Sequence, residues 1–143
     1  MKLLTMGLLG IQPYDPINAE AVLSIAFADG SCQATLSVDW AHGKRVYFDD
    51  CTLDRTGLPG STTDITAHQA RDIVRWVHDL TAADVQRLVI HCFAGVSRST
   101  SIACALRDAY GWPYAQNPDG PAINQPVYLA VLAAATAAPI PLE

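Results

Sequence analysis

Short apolar runs separated by turn residues fill the first third of the chain. The runs at residues 2–9 and 21–28 predict two strands, and a weaker run predicts a third strand over residues 34–38. After another turn, residues 44–48 predict a fourth strand. Residues 49–64 then form a polar segment that contains several aspartates, glycines and a proline. A loop of this length inside a small domain is often functional.

Helical spacing of apolar residues begins after this loop. Thr66 followed by Gln69 has the pattern of a capping box, which predicts the start of a helix. Apolar side chains then recur at intervals of three and four residues, at Ala70, Ile73, Val74, Val77 and Leu80. Residues 87–91 form a short, largely apolar run, which is typical of a strand buried in a parallel sheet.

Two more helices are predicted in the last third of the chain. The first runs from about Ser97 to Tyr110 and ends at Gly111. The second covers residues 126–137, and Asn124 stands just before it. Asn124 is interpreted either as a plain N-cap or as a functional residue. The intervening residues are predicted to form a loop.

The order of these elements predicts the fold class. Alternating strands and helices imply right-handed crossovers and an α/β fold, in which helices flank a short, mostly parallel sheet covered on both faces. Half of the 143 residues are apolar and 16% are charged, a composition that can bury one core. We therefore expect a single domain spanning residues 1–143.

Charge and cysteine content narrow the possible partners and location. The formal net charge of −5 argues against a general nucleic-acid binder, and the four cysteines include no Cys-x-x-Cys pair that would indicate zinc. The apolar start is interpreted as a core strand in preference to a signal peptide, and the apolar run near the C-terminus is too short to span a bilayer. We expect a cytoplasmic protein with free thiols and no nucleic-acid or membrane partner.

The most informative segment lies between the strand at residues 87–91 and the helix that follows it. It reads His91-Cys92-Phe93-Ala94-Gly95-Val96-Ser97-Arg98-Ser99. Ligands of parallel sheets bind at the carboxyl ends of strands, and backbone N–H groups at a helix N-terminus attract anions. Gly95 lets several of these groups turn inward, and the fork of Arg98 can hold two phosphate oxygens. The segment therefore predicts a phosphate cradle.

Cys92 stands at the mouth of this cradle and is the candidate nucleophile. The positive potential of the cradle stabilises a thiolate, and a thiolate that faces a bound phosphoester is placed for in-line attack on phosphorus. The hydroxyl of Ser99 is placed to hydrogen-bond the departing thiolate in a second step. A cysteine and an arginine at this spacing can occur by chance. Here a histidine, a glycine, two serines and the flanking elements coincide with them.

The segment resembles the signature loop (P-loop) of cysteine-dependent protein tyrosine phosphatases. It is most similar to the dual-specificity-like branch of small bacterial or viral type, whose loops read His-Cys-x-Ala-Gly-x-Ser-Arg-Ser. The resemblance is clear over residues 87–107 and loose over 44–135. It implies a phosphocysteine intermediate, no metal or cofactor, and an aspartate on an upstream loop as general acid. It also implies that phosphate is bound by the backbone amides of Phe93, Ala94, Gly95, Val96, Ser97 and Arg98.

The general acid is expected after the strand at residues 44–48. Asp50 is the preferred candidate, because the resemblance implies that the second aspartate of Phe-Asp-Asp is the acid. Asp54 and Asp49 are the alternatives, and adjacent side chains on a strand point in opposite directions. His91 is expected to order the loop by hydrogen bonding and to help keep Cys92 ionised. Cys51 is interpreted as a packed thiol or as a disulfide partner of Cys92 under oxidation.

These observations predict an enzyme that hydrolyses phosphomonoesters on protein side chains. Phosphotyrosine is the preferred substrate group, and phosphoserine and phosphothreonine are the alternatives. The expected partner is a phosphorylated protein or peptide. Alternatives are rhodanese-type or arsenate-reductase-type chemistry on a similar loop, a lipid or inositol phosphatase, and a phosphopeptide-binding module that has lost turnover. The protein is expected to be a monomer or a homodimer.

Overall fold

The computed structural model describes residues 1–14, 16, 20–36, 40–49, 64–93, 95, 97–114, 116 and 124–138. In this part of the chain four strands and four helices follow one another in an α/β order. They are β1 (Lys2–Met6), α1 (Leu8–Ile11), β2 (Glu20–Ala26), β3 (His42–Tyr47), α2 (Ala67–Ala82), β4 (Arg87–His91), α3 (Arg98–Tyr110) and α4 (Gln125–Ala137).

The four strands form one sheet in the order β1-β4-β2-β3, and every pair in it is parallel. The α/β class and the parallel sheet predicted from the sequence are confirmed. β4 lies between β1 and β2, and four of its five residues are buried. This burial explains why β4 reads as an apolar run rather than as an alternating pattern.

The two faces of the sheet are covered differently. On one face, alternate strand residues such as Leu3, Leu23 and Leu88 pack in the main core with the apolar sides of α2, α3 and α4. On the other face a smaller cluster forms, which consists of Ile11, Val22, Ala34 and Val89. Among the described residues, the helices α2, α3 and α4 therefore cover one face, and the second face, which was also expected to carry helices, is covered by the short helix α1 and by residues such as Ala34 that precede β3.

Local signals account for the ends of the helices. The capping box of α2 is confirmed, because Thr66 Oγ1 accepts from Gln69 N at 3.1 Å while Gln69 Oε1 accepts from Thr66 N at 2.9 Å. Asn124 caps α4 by accepting from Val127 N at 3.3 Å, as the plain N-cap interpretation predicts. Gly111 ends α3 in the left-handed conformation, with φ of 73°.

Two strand predictions are wrong in part. The first strand was predicted over residues 2–9, but it ends at Met6, and Leu8 and Leu9 begin α1. β1 loses its partner at that point, because Met6 pairs with the last residue of β4. Residues 34–36 form no strand. Instead, the carbonyl of Ala34 accepts a hydrogen bond from the Arg45 side chain at 2.9 Å. Residues 37 and 38 of that predicted strand lie outside the described part.

The apolar helix α4 packs against α2 and α3 and contributes to the main core. Val127, Val131 and Ala135 are its buried residues. Within the described residues, no helix combines the length and the apolar character that crossing a bilayer would require.

Candidate functional site

The carboxyl ends of the strands bring the predicted site residues to one edge of the sheet. Cys92 directly follows β4, Phe27 directly follows β2, and Phe48 directly follows β3. Because all strands run in the same direction, these three positions lie at the same edge. This is the edge at which parallel α/β sheets bind ligands.

Cys92 lies between the end of β4 and the N-terminus of α3, and only 2% of its surface is exposed. Two donors surround its sulfur. The backbone N–H of Gly95 donates to Sγ at 3.2 Å, and the hydroxyl of Ser99 lies 3.2 Å from Sγ. An N–H dipole directed at sulfur, a hydroxyl that can donate to it and an adjacent helix N-terminus are groups that favour negative charge where it develops on a sulfur atom.

The loop after Cys92 is fixed against the start of the chain. Gly95 has a φ of 77°, and a Cβ atom at this position would lie 2.4 Å from the backbone nitrogen of Gly7. A second contact holds the same loop, because Leu8 N donates to the carbonyl of Phe93 at 2.9 Å. Gly95 is therefore required both by its left-handed backbone and by the close approach of Gly7.

Arg98 is buried at the first position of α3, and 2% of its surface is exposed. Its Nη1 donates to the carbonyl of Phe48 at 2.8 Å and to the carbonyl of Ala26 at 3.3 Å. Its Cζ lies 4.4 Å from the centre of the Phe27 ring. No ion pair among the described residues includes Arg98.

A buried cation without a carboxylate partner is costly unless an anionic ligand neutralises it. A guanidinium has five N–H donors, and Nη1 supplies two of them to the carbonyls. The donors on Nε and Nη2 make no hydrogen bond to a described residue. Among the described residues, the edge of the fork formed by Nε and Nη2 therefore has no hydrogen-bond partner, and this is the edge that a guanidinium offers to an oxyanion.

His91 is fully buried in β4 and connects this strand to β2. Its Nε2 lies 2.6 Å from the hydroxyl of Ser24, which is its register partner on β2. Burial lowers the pKa of His91 from 6.5 to about 4, and the charges of Arg45 and Arg98 add to the decrease against an opposing effect of the Cys92 backbone. The imidazole is therefore neutral at neutral pH. Its Nδ1 makes no hydrogen bond within the described part of the chain.

The three aspartates proposed as general acid fall into two groups. Asp49 is described, and its Oδ1 accepts a hydrogen bond from the backbone N–H of Ala28 at 2.9 Å. This contact ties the end of β3 to the turn after β2. Asp50 and Asp54 lie outside the described residues, as do Cys51, Ala94 and Val96. Asp49 thus has a structural role at the edge where the acid is expected.

Two of the hollows on the described surface bear on the location of the site. One, of about 460 Å³, opens at the carboxyl edge of the sheet and is lined by Phe27, Ala28, Asp29, Ser31 and Asp49. The other, of about 580 Å³, lies between α2 and α4 and has an alanine-rich wall. Neither Cys92 nor Arg98 lines the larger hollow, so this hollow is not part of the candidate site. The smaller hollow adjoins Arg98 through Phe27.

The structure brings Cys92, Arg98 and Ser99 together between β4 and α3, and sequence reasoning missed two of their neighbours. Ser24 gives no signal of its own, because its contact with His91 depends on the register between β2 and β4. Phe27 reads as the end of an apolar run, yet its ring faces the guanidinium of Arg98. Among the described residues, no group of three or more histidine, cysteine or acidic side chains is arranged to hold a metal ion.

Comparisons with protein-family models, with curated proteins and with solved structures give no match to this chain. A functional assignment therefore rests on the geometry of the described residues and on the signature segment itself.

Proposed function

We propose that this chain is a cysteine-dependent phosphatase that hydrolyses phosphomonoesters on protein side chains through a phosphocysteine intermediate. One observation carries the proposal. The sulfur of Cys92 accepts from Gly95 N–H and lies beside the Ser99 hydroxyl at 3.2 Å, and Arg98 is buried without an ion-pair partner among the described residues. A cysteine sulfur beside two hydrogen-bonding groups and a buried guanidinium supply the nucleophile and the cation that attack on a phosphate ester requires.

Substrate binding would use the edge of the Arg98 guanidinium that makes no hydrogen bond to a described residue. The carbonyls of Ala26 and Phe48 occupy Nη1, so the guanidinium is oriented before the ligand arrives. Nε and Nη2 then donate to two oxygens of the phosphoryl group, and the backbone amides of residues 93–98 donate to the others. Groups fixed in advance lose little entropy on binding, which favours tight capture of a small dianion.

In the first chemical step the Cys92 thiolate attacks phosphorus in line with the bond to the leaving group. A sulfur–phosphorus bond forms, and the bond from phosphorus to the side-chain oxygen of the substrate breaks. That oxygen takes a proton from the general acid, for which Asp50 is the proposed residue. The products of this step are a free hydroxyl on the substrate and a phosphoryl group on Cys92.

In the second step a water molecule attacks the phosphocysteine. The carboxylate that donated a proton in the first step now accepts one from the water, the sulfur–phosphorus bond breaks, and inorganic phosphate leaves. The Ser99 hydroxyl, 3.2 Å from Sγ, donates a hydrogen bond to the thiolate as it departs. This returns the site to its starting state.

The exposed ring of Phe93 supports phosphotyrosine as the preferred substrate. Phe93 follows the nucleophile in sequence, and 51% of its surface is exposed. The centres of the Phe93 and Phe27 rings lie 6.2 Å apart, and the ring planes are inclined at 48°. An exposed aromatic ring on the residue that follows the nucleophile offers an apolar contact to an aromatic leaving group. Phosphoserine and phosphothreonine have no aromatic leaving group that could make this contact.

The experiment that tests this function compares the wild-type protein with Cys92→Ser on phosphotyrosine and phosphothreonine peptides. We expect phosphate release from the phosphotyrosine peptide by the wild type and none above background by Cys92→Ser. The variant should still bind tungstate, because the cradle remains. Retained turnover by the variant would remove Cys92 from the mechanism. Peptide binding without turnover by the wild type would indicate a binding module.

A further inference from the structure

Two kinds of contact hold the guanidinium of Arg98, namely hydrogen bonds to carbonyls and packing against an aromatic ring. The carbonyls of Ala26 and Phe48, at the ends of β2 and β3, accept hydrogen bonds from Nη1. The ring of Phe27 covers one face of the guanidinium, with 4.4 Å between Cζ and the centre of the ring. The carbonyls alone restrain one nitrogen and leave the fork free to swing about it. The ring restrains the plane itself, because a cation is attracted to the face of an aromatic ring.

The backbone of Phe27 is itself immobilised by a tight turn. Gly30 N donates to the carbonyl of Phe27 at 2.8 Å, and Phe27 N donates to the carbonyl of Ser31 at 3.3 Å. The next residue, Ala28, donates its N–H to Asp49 at 2.9 Å. These contacts tie the ring to both β2 and β3, so its position is set by the sheet rather than by a free loop.

Phe27 does not take part in the packing of the core. It belongs to neither of the two clusters of buried apolar residues, and it is only partly buried. Its two aromatic or cationic neighbours are Arg98 on one side and Phe93 of the signature segment on the other. A ring at this position therefore contacts the proposed oxyanion site rather than the hydrophobic core.

We propose that Phe27 is a positioning residue that holds the guanidinium plane of Arg98 so that Nε and Nη2 face a bound oxyanion. This inference rests on the proposed function, since it assigns a partner to the phosphate clamp of the same site. Without the ring, the guanidinium keeps its charge and its bond to the carbonyls but loses the orientation of its free edge.

The test measures tungstate affinity by calorimetry in a Cys92→Ser background, where no turnover interferes. Phe27→Leu, which keeps apolar bulk but removes the ring face, should weaken tungstate binding about tenfold, the scale of a desolvated cation–π contact. Phe27→Tyr should bind within about twofold of the parent protein, because the ring face remains. Tyr47→Leu is the matched control, since it removes another partly exposed ring from the same edge.

A double-mutant cycle separates positioning from a general loss of structure. In an Arg98→Lys background, Phe27→Leu should change tungstate affinity by less than about twofold, because no guanidinium plane remains to be held. A lower melting temperature with unchanged tungstate affinity would overturn the inference, as would an equal loss in both backgrounds. If Phe27→Leu does not fold, Phe27→Met provides the same comparison.

The outcomes also distinguish this inference from the proposed function. A wild-type protein that binds tungstate but releases no phosphate from an aryl ester would contradict the phosphatase proposal and leave the Phe27 comparison intact. A wild-type protein that binds no tungstate would overturn the inference directly.

Discussion

The hydroxyl of Ser99 lies 3.2 Å from the sulfur of Cys92, where it can stabilise a departing thiolate. Ser99→Ala should slow breakdown of the phosphocysteine, lowering kcat roughly 100-fold, which is the cost of removing one aimed donor. The first step should be affected less, so an aryl phosphate should give a burst of released phenol followed by slow turnover. Stopped-flow absorbance measures both phases.

Ser101→Ala is the control for Ser99, because it also removes a buried hydroxyl from α3. The Ser101 hydroxyl accepts from the backbone N–H of Asn124 at 2.8 Å. The variant should be less stable than the wild type but show no burst. Equal slowing of both steps in Ser99→Ala would contradict the assigned role.

Asp50, the proposed general acid, and its alternative Asp54 lie outside the described part of the chain. Asp50→Asn should reduce the rate much more for a phenyl leaving group than for nitrophenyl, because only the poor leaving group needs the proton. It should also remove the falling limb at high pH from an otherwise bell-shaped profile of kcat/KM against pH. Steady-state rates with both esters measure these effects.

Asp49→Asn is the companion variant. Its side chain binds Ala28 N, so the change should affect both esters to the same extent. If the dependence on the leaving group appears instead with Asp49→Asn or Asp54→Asn, the proton donor is reassigned to that residue.

At the scale of elements, the geometry of the signature loop depends on its contact with the junction between β1 and α1. Gly95→Ala would place a Cβ atom 2.4 Å from Gly7 N at a φ of 77°. The loop must shift, so we expect loss of most activity and a decrease of about 2 kcal/mol or more in the free energy of unfolding. Urea denaturation and an aryl phosphate assay measure the two effects.

Gly111→Ala provides the matched control, because Gly111 has a similar φ of 73° and open space where the Cβ atom would lie. This change should cost about 1–2 kcal/mol of stability through the left-handed backbone alone and leave kcat/KM unchanged. If Gly95→Ala and Gly111→Ala had the same effect on activity, the contact with Gly7 would have no functional importance.

The elements that could be predicted from the sequence are those with local signals. The capping box at Thr66 and Gln69 and the glycine at 111 define helix ends through contacts a few residues apart. The end of β1 at Met6 could not be predicted, because it depends on where the partner strand β4 ends. The contact between Phe27 and Arg98 depends on the sheet order in the same way, since 71 residues separate them.

At the scale of the whole molecule, a buried neutral histidine at the carboxyl end of the inner strand β4 couples stability to pH. The pKa of His91 is lowered by burial from 6.5 to about 4. The unfolded chain binds this proton near pH 6.5, whereas the folded protein binds it only near pH 4, so acidification across this interval favours unfolding. The loss attributable to His91 should reach about 3 kcal/mol below pH 4.

Urea denaturation of the wild type and of His91→Asn at several pH values between 7 and 4 measures this contribution. The wild type should lose stability more steeply than the variant as the pH falls, and the difference between the two proteins isolates His91. Parallel pH profiles for the two proteins would show that the histidine is not buried in its neutral form.

Phosphorylation of the Cys92 sulfur during turnover can be measured directly. The wild-type protein is mixed with an aryl phosphate, quenched in acid within milliseconds, digested, and analysed by mass spectrometry. We expect one phosphoryl group on the peptide that contains Cys92, at a yield that increases in Ser99→Ala. Release of phosphate with no phosphoryl group on Cys92, or with one on another residue, would contradict the account.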